Sequence, residues 1–229
     1  SLDSKINPAV VYAAKKCGVK KIYKTGGAHS IAALAYGTKS FEKVDKIVGP
    51  GNLFVACAKK EVFGDVGIDM VAGPSEVSVV ADKSADPDFI AADLIAQAEH
   101  DVQAQSILIT DSKDIIRSVN LSLKKQLARL PKKKIASQSL RNFGLAILTN
   151  SKKKITEIIN TIAPEHLELC TSFDKEIIKG VKNAGSIFIG KFSPEAIGDY
   201  IAGPNHVLPT SGSARFSSGL SVNDFLKRH

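Results

Sequence analysis

Val77-Ser78-Val79-Val80-Ala81 and Ser106-Ile107-Leu108-Ile109-Thr110 bracket the stretch that decides the fold. The first run is β-branched and the second largely so, which marks both as strands. Between them Asp86-Pro87 supplies a cap and a first-turn proline, and the residues that follow read as a helix ending near His100. Strand, helix and strand in that order are joined most simply as parallel neighbours with a crossover helix. Toward the C-terminus the alternation continues. A long basic helix spans 112–130, a strand 145–149, and a helix follows Ser151, with Glu157 placed for a capping interaction. A strand at 167–171, a helix after Asp174 and a strand at 186–189 complete it. Toward the N-terminus, Asn7 caps a helix whose first position is Pro8. A short strand at 21–25 ends in Gly26-Gly27 and leads into a small-residue helix over 28–35. A strand at 46–48 runs into Gly49-Pro50-Gly51-Asn52, which opens a helix to about residue 62. A third strand covers 67–70. The pattern predicts α/β layers with largely parallel sheet, in two units of unequal size that divide near Ser75.

The chain has 229 residues, of which 44% are hydrophobic and 24% charged, ordinary values for a soluble globular protein able to bury a real core. No apolar run approaches the roughly 18 residues that cross a membrane. No basic-then-apolar leader is visible, and the sequence starts without an initiator, its one methionine being Met70. The expectation is a processed start or a fragment of a longer protein. Cys17, Cys57 and Cys170 are widely spaced, with no C-x-x-C pair, and read as buried free thiols in a reducing, cytoplasmic setting. The net charge of +8 is concentrated. Between Ile115 and Thr156 there is no acid, while Lys132-Lys133-Lys134 and Lys152-Lys153-Lys154 fall there. Without aromatic platforms or a zinc-finger or RNP-like pattern, this region reads as a solvated face; no nucleic-acid partner is expected.

Pro164-Glu165-His166-Leu167 and the run from Gly198-Asp199-Tyr200 to His206 concentrate ionisable side chains among turn-forming residues. Such strings suit proton transfer and metal binding more than packing, with turn capping as the plainer alternative. Gln97 and His100, three apart at a helix end, share a face and could hold a divalent metal, although on these residues alone a solvated polar helix end is the stronger reading. Gly49-Pro50-Gly51-Asn52 could offer backbone N–H groups to a phosphate, but no G-x-G-x-x-G is present. Ser75, between Pro74 and Glu76, lacks the context of a hydrolytic nucleophile.

Taken in order, Gly26-Gly27-Ala28, Gly49-Pro50-Gly51-Asn52, Ala72-Gly73-Pro74-Ser75-Glu76-Val77, Gln97-Ala98-Glu99-His100, Pro164-Glu165-His166-Leu167 and Gly198-Asp199-Tyr200 through Pro209-Thr210 resemble the histidinol dehydrogenase family over essentially the whole chain. The resemblance implies two incomplete Rossmann-like units. Residues 1–76 would carry cofactor contacts and 77–220 the metal, catalytic and substrate residues, with 221–229 starting a truncated C-terminal region. It implies NAD-dependent, zinc-assisted oxidation of L-histidinol to L-histidine through the aldehyde. Gln97, His100 and Asp199 match zinc ligands, and Glu165 and His166 the acid–base pair. Ser75 and His206 match substrate contacts, as do Gln97, His100, His166 and Asp199, while Asn52 and position 29 match cofactor contacts. Position 29 is His29 where the family usually has glutamine. Members are nearly twice as long and form homodimers. The segments without a counterpart here carry a further substrate glutamate and a fourth ligand, a histidine reached from the partner subunit, which His229 does not replace. The resemblance therefore implies weak zinc binding and low or absent turnover in the chain alone, or a substrate-binding or regulatory module that keeps the fold without catalysis.

Overall fold

A computed structural model describes residues 6–228; His229 and residues 1–5 lie outside the described residues. The chain divides into two compact units at Val71/Ala72.

In the first unit α1 (Pro8–Lys16) is capped by the Asn7 side chain, which accepts from the Ala9 N–H at 2.9 Å. Helices α2 (Ala28–Tyr36) and α3 (Leu53–Val62) pack over a two-stranded parallel sheet of β1 (Lys46–Ile47) and β2 (Gly67–Ile68). Ile31, Ala35, Ile47, Val62 and Val66 form its core. Residues 21–25 do not form the expected strand. Among the described residues β1 and β2 pair only with each other, so this segment has no ladder to join, and Tyr23 stacks on Phe41 instead, ring centroids 4.4 Å apart.

The second unit holds a fully parallel five-stranded sheet in the order β5-β4-β3-β6-β7. Its strands are β3 (Glu76–Ala81), β4 (Gln105–Thr110), β5 (Gly144–Leu148), β6 (His166–Cys170) and β7 (Ser186–Ile189). Helices α4 (Pro87–Ala98), α5 (Lys113–Leu127) and α6 (Lys133–Phe143) follow β3 and β4, and α7 (Lys152–Ile162) and α8 (Asp174–Ile178) follow β5 and β6. A short α9 (Ala196–Tyr200) follows β7. One face of the sheet packs Val77, Val79 and Leu108 against Ile90, Ala91 and Leu94 of α4 and Ile115 and Val119 of α5. The other packs Val80, Ile107, Ile109, Leu167 and Leu169 against Ile155 and Ile159 of α7 and Ile177 of α8.

The expected helix over 112–130 stops at Leu127, because Pro131 disfavours helical geometry in the residue before it. Glu157 does not cap α7: Ser151 does, accepting from the Lys154 N–H at 3.2 Å, and Glu157 pairs with Lys154 at 3.6 Å. The lysine runs are exposed, as a solvated face requires. Cys17 and Cys57 are exposed as well, against the expectation of burial: Cys17 ends α1, which buries none of its residues, and Cys57 lies on α3 outside its buried positions Ala56, Lys59 and Val62. Only Cys170, beneath α4, is partly buried, and burial pushes its thiol up to about 12. No helix among the described residues is long and apolar enough to cross a membrane.

In an open parallel sheet the usual ligand crevice lies at the carboxyl ends of the strands where the order reverses. Here that point, between β3 and β6, is closed by Asp82. Its carboxylate accepts from the Ser84 N–H (2.8 Å) and Oγ (2.5 Å) and from the Ser172 N–H (2.8 Å) and Oγ (2.6 Å). Burial alone would raise this carboxyl, but the serine hydrogen bonds prevail and hold it near 2. The ionisable strings of the sequence assemble at the opposite edge.

Candidate active site

Strand β6 begins at His166, in register with Val77 of β3 and Ser186 of β7, so Glu165 sits beside Glu76 at the amino edge of the sheet. Because β3 and β4 are parallel, α4 must return the chain to this edge, which brings its last turn and Gln97 there. Gly185 lies against Glu165 so closely that a Cβ would come within 2.6 Å of the Glu165 carbonyl oxygen. A bare backbone is what fits at that contact.

Glu165 Oε2 accepts from the Glu76 N–H at 3.1 Å and its carboxyl takes a hydrogen bond from the Ser75 side chain. His166 Nδ1 lies 3.3 Å from the Glu76 carbonyl oxygen, 3.6 Å from Glu195 Oε2 and 3.8 Å from Glu165 Oε2. Burial pushes Glu165 up to about 7 against those hydrogen bonds, helped by the charges of Glu76 and Asp199. Burial likewise pushes Glu76 up to about 6. The His166 imidazole is held below its usual value, first by burial and then by His100 and His206, while the Glu76 carbonyl and Asp199 oppose the shift. A neutral histidine beside a carboxyl that titrates near neutrality is an arrangement for moving protons at physiological pH.

The structure thus places Ser75 on the Glu165 carboxyl and His166 Nδ1 3.8 Å from it, and sets His100, Asp199 and His206 within electrostatic reach of His166. Gln97 is 2% exposed; His100, Asp199 and His206 are exposed. Among the described residues no three His, Cys, Asp or Glu side chains converge to hold an ion, and the expected set of one imidazole, one carboxylate and one amide contains only two of these types. His29 and Asn52 belong to the first unit, at the N-termini of α2 and α3. Asn52 Oδ1 caps α3 by accepting from the Val55 N–H at 3.1 Å, and His29 Nε2 lies 3.3 Å from Thr25 Oγ1.

Four acidic residues of this region do not stand out in the sequence. Glu76 and Glu168 lie in strands, Asp93 on α4, and Glu195 just before α9. Glu168 is 1% exposed and its Oε1 accepts from the Glu195 N–H at 2.6 Å. The one sequence signal was an acid inside an apolar run, Leu167-Glu168-Leu169.

A fully parallel sheet flanked by helices, with buried ionisable groups at the strands' amino edge, defines an α/β protein. The same fold, at 14% identity, occurs in an acetylating aldehyde dehydrogenase from Geobacillus thermoglucosidasius, with a TM-score of 0.56 over 93% of this chain and 61% of that one. The family model described as histidinol dehydrogenase matches residues 1–229, and the chain belongs to that family. It is 58% identical to the histidinol dehydrogenase of Clostridium acetobutylicum over 99% of its own length and 52% of that protein. For the protein of that name from Bacillus subtilis the identity is 53%, over 99% and 53%. The crystal structure of histidinol dehydrogenase from Elizabethkingia anophelis superposes with a TM-score of 0.94 at 46% identity, over 97% of this chain and 52% of that one. The chain spans about half the length of the relatives it matches.

Proposed function

We propose that this chain carries the acid–base and metal-ligand residues of a protein that oxidises L-histidinol to L-histidine through the aldehyde, with NAD as oxidant. The observation that carries this reading is the buried Glu165–His166 pair at the amino edge of β6, placed against Ser75 and within electrostatic reach of His100, Asp199 and His206. With Nδ1 turned toward the Glu76 carbonyl, Nε2 of His166 is the nitrogen that meets substrate. Kept neutral by burial, it takes the hydroxyl proton as the carbon gives up hydride. Glu165, titrating near 7, takes a proton from the water that adds to the aldehyde, and the hydrate is oxidised in the same manner. Bound NAD would supply the hydride acceptor, and a bound zinc ion would supply Lewis-acid polarisation and a grip on the substrate nitrogens. Gln97, His100 and Asp199 fit such an ion in donor type, nitrogen and oxygen ligands at one edge of the sheet with positions left for substrate. The exposure of His100 and Asp199 and the small number of ligands favour weak binding in the chain alone. For NAD, His29 and Asn52 stand at helix N-termini, which suit anionic groups. Since Asn52 Oδ1 caps α3, a cofactor contact would fall to its Nδ2. The whole protein would act in histidine biosynthesis as a homodimer in the cytoplasm.

Calorimetric titration with L-histidinol, with added zinc and again with chelator, tests the reading. Zinc-dependent binding that disappears in His100→Ala is expected. A folded chain that binds L-histidinol equally well with chelator present would overturn the metal assignment, and one that binds none under either condition would count against the substrate-binding core proposed for this chain.

A further inference from the structure

A cavity of about 290 Å³ opens between α5, α6 and the β4–β5 side of the sheet, and it shares no residue with the acid–base site. Its origin is local. Gly144 starts β5 directly after α6, and a Cβ there would come within 2.4 Å of the Leu140 carbonyl oxygen, so the turn into the strand excludes a side chain. Ala146, in register with Leu108, lies two residues on and on the same face, the one that packs against α4 and α5. At the sheet's edge this face therefore carries a bare backbone and a methyl group where larger residues would meet α5. A space is left beneath the helices.

Its walls are Leu94 of α4, Leu108 of β4, Leu123 and Leu127 of α5, and Leu140 of α6. The one hydroxyl among the lining side chains, Ser106 Oγ, already donates to the Leu94 carbonyl at 2.8 Å. The interior thus offers apolar contact and leaves no polar group in want of a partner. The mouth is different. Lys124 of α5 and Arg141 of α6 line the cavity and are exposed, and neither forms an ion pair among the described residues. No acid lines the cavity, and none occurs in the sequence between Ile115 and Thr156.

We propose that this cavity binds an amphipathic anion, a short alkyl chain ended by a carboxylate. The chain takes the apolar space, and removing it from water drives binding. The carboxylate stays at the mouth between Lys124 and Arg141, because burying it unpaired would cost more than the chain gains. Small-molecule sites hold roughly 300–1,000 Å³, so a cavity at the lower end of that range suits a chain shorter than those of membrane lipids. The site does not depend on the function proposed above.

The test titrates octanoate into the nitrogen-15-labelled chain and follows the backbone amide resonances. Saturable shifts confined to α4, α5, α6, β4 and β5 are expected. Binding should weaken by about tenfold or more in Lys124→Met/Arg141→Met, whose exposed positions leave the fold intact. It should vanish in Ala146→Leu, where the larger side chain occupies the space. The corresponding alcohol, with the same chain and no charge, should bind the wild type no better than octanoate binds the double variant. No saturable shifts, shifts centred elsewhere, or binding that survives in a folded Ala146→Leu would overturn the site. Equal binding of octanoate and the alcohol, or an unchanged affinity in Lys124→Met/Arg141→Met, would overturn the anionic head even if Ala146→Leu fails to fold.

Discussion

Raising the pH from 5 to 9 should destabilise the second unit, and Glu168→Gln should remove much of that slope. Burial, with the neighbouring charge of Asp93, pushes the Glu168 carboxyl from 4.5 up to about 9. A group whose folded-state pKa is raised stabilises the fold fully below its unfolded value and loses that contribution as pH rises through the folded value. The window for Glu168 therefore opens near 4.5 and closes near 9. Glu195, raised well above its usual value by burial and by the surrounding acids, acts in the same direction, as do Glu165 up to about 7 and Asp93 and Glu76 up to about 6. The opposite sign belongs to Asp82, held near 2, whose contribution is lost in strong acid, and to His166, whose lowered pKa makes acid unfavourable. Stability should therefore peak near pH 5. A tenfold change in an acid's dissociation constant between folded and unfolded chain corresponds to about 1.4 kcal/mol. The loss attributable to Glu168 by pH 9 is then on the order of a few kcal/mol, large against the stability of a whole domain. Urea unfolding at several pH values measures it. A flat profile in the wild type, or a slope unchanged in Glu168→Gln, would falsify the assignment of Glu168 as a buried, protonated acid.

That buried acids decide so much explains where the sequence was readable and where it was not. Helix α4 was legible because its signals are local: Asp86 caps it through the Asp88 N–H at 2.8 Å, Pro87 opens it, and its inner face is a run of Ile90, Ala91, Leu94 and Ile95. Helix α6 lacks a side-chain cap, and its helical spacing of Ile135, Leu140 and Phe143 lies in a polar, lysine-rich stretch that reads as loop. Its fully buried positions are Ala136 and Ser139, and Ser139 reaches the core by donating its hydroxyl to the Ala104 carbonyl at 2.8 Å. Small residues carry no periodic hydrophobicity, although they let a helix approach a sheet closely. Glu165 and His166 stood out because they are adjacent and follow a proline. Glu168 did not, since an acid alternating with leucines in a strand reads as a solvent-facing position. What buries it is α4 and the segment before α9, both remote in sequence, and only the fold could say so. The placement of the site at the amino edge of the sheet was likewise hidden. Strand order fixes the switch point, but only the four hydrogen bonds onto Asp82 show that its carboxyl side is closed.

The first unit depends on one buried charge in the same manner, and there the expected loss is larger for a single substitution. Lys59 of α3 is 2% exposed and its ammonium is ion-paired with Asp69 while donating to the Gly49 carbonyl at 3.0 Å. The Asp69 carboxylate also accepts from the Gly49 N–H and the Met70 N–H, each at 2.7 Å. Gly49, at φ 115°, thus has both its backbone groups tied to this pair, which fixes the turn leading to Asn52 and the start of α3. Lys59→Met keeps the length and apolar stem of the side chain but strands a buried carboxylate, a change that typically costs about 3–5 kcal/mol. Amide hydrogen exchange in β1, β2 and α3 should accelerate accordingly. Adding Asp69→Asn removes the stranded charge while keeping an acceptor for the Gly49 and Met70 N–H groups, so the double variant should recover most of the lost protection. Recovery would locate the cost in the uncompensated carboxylate. If the double variant were as weak as Lys59→Met alone, the lost contact between the ammonium and the Gly49 carbonyl would account for most of the damage, and the turn before Asn52, not the ion pair, would be what Lys59 holds in place.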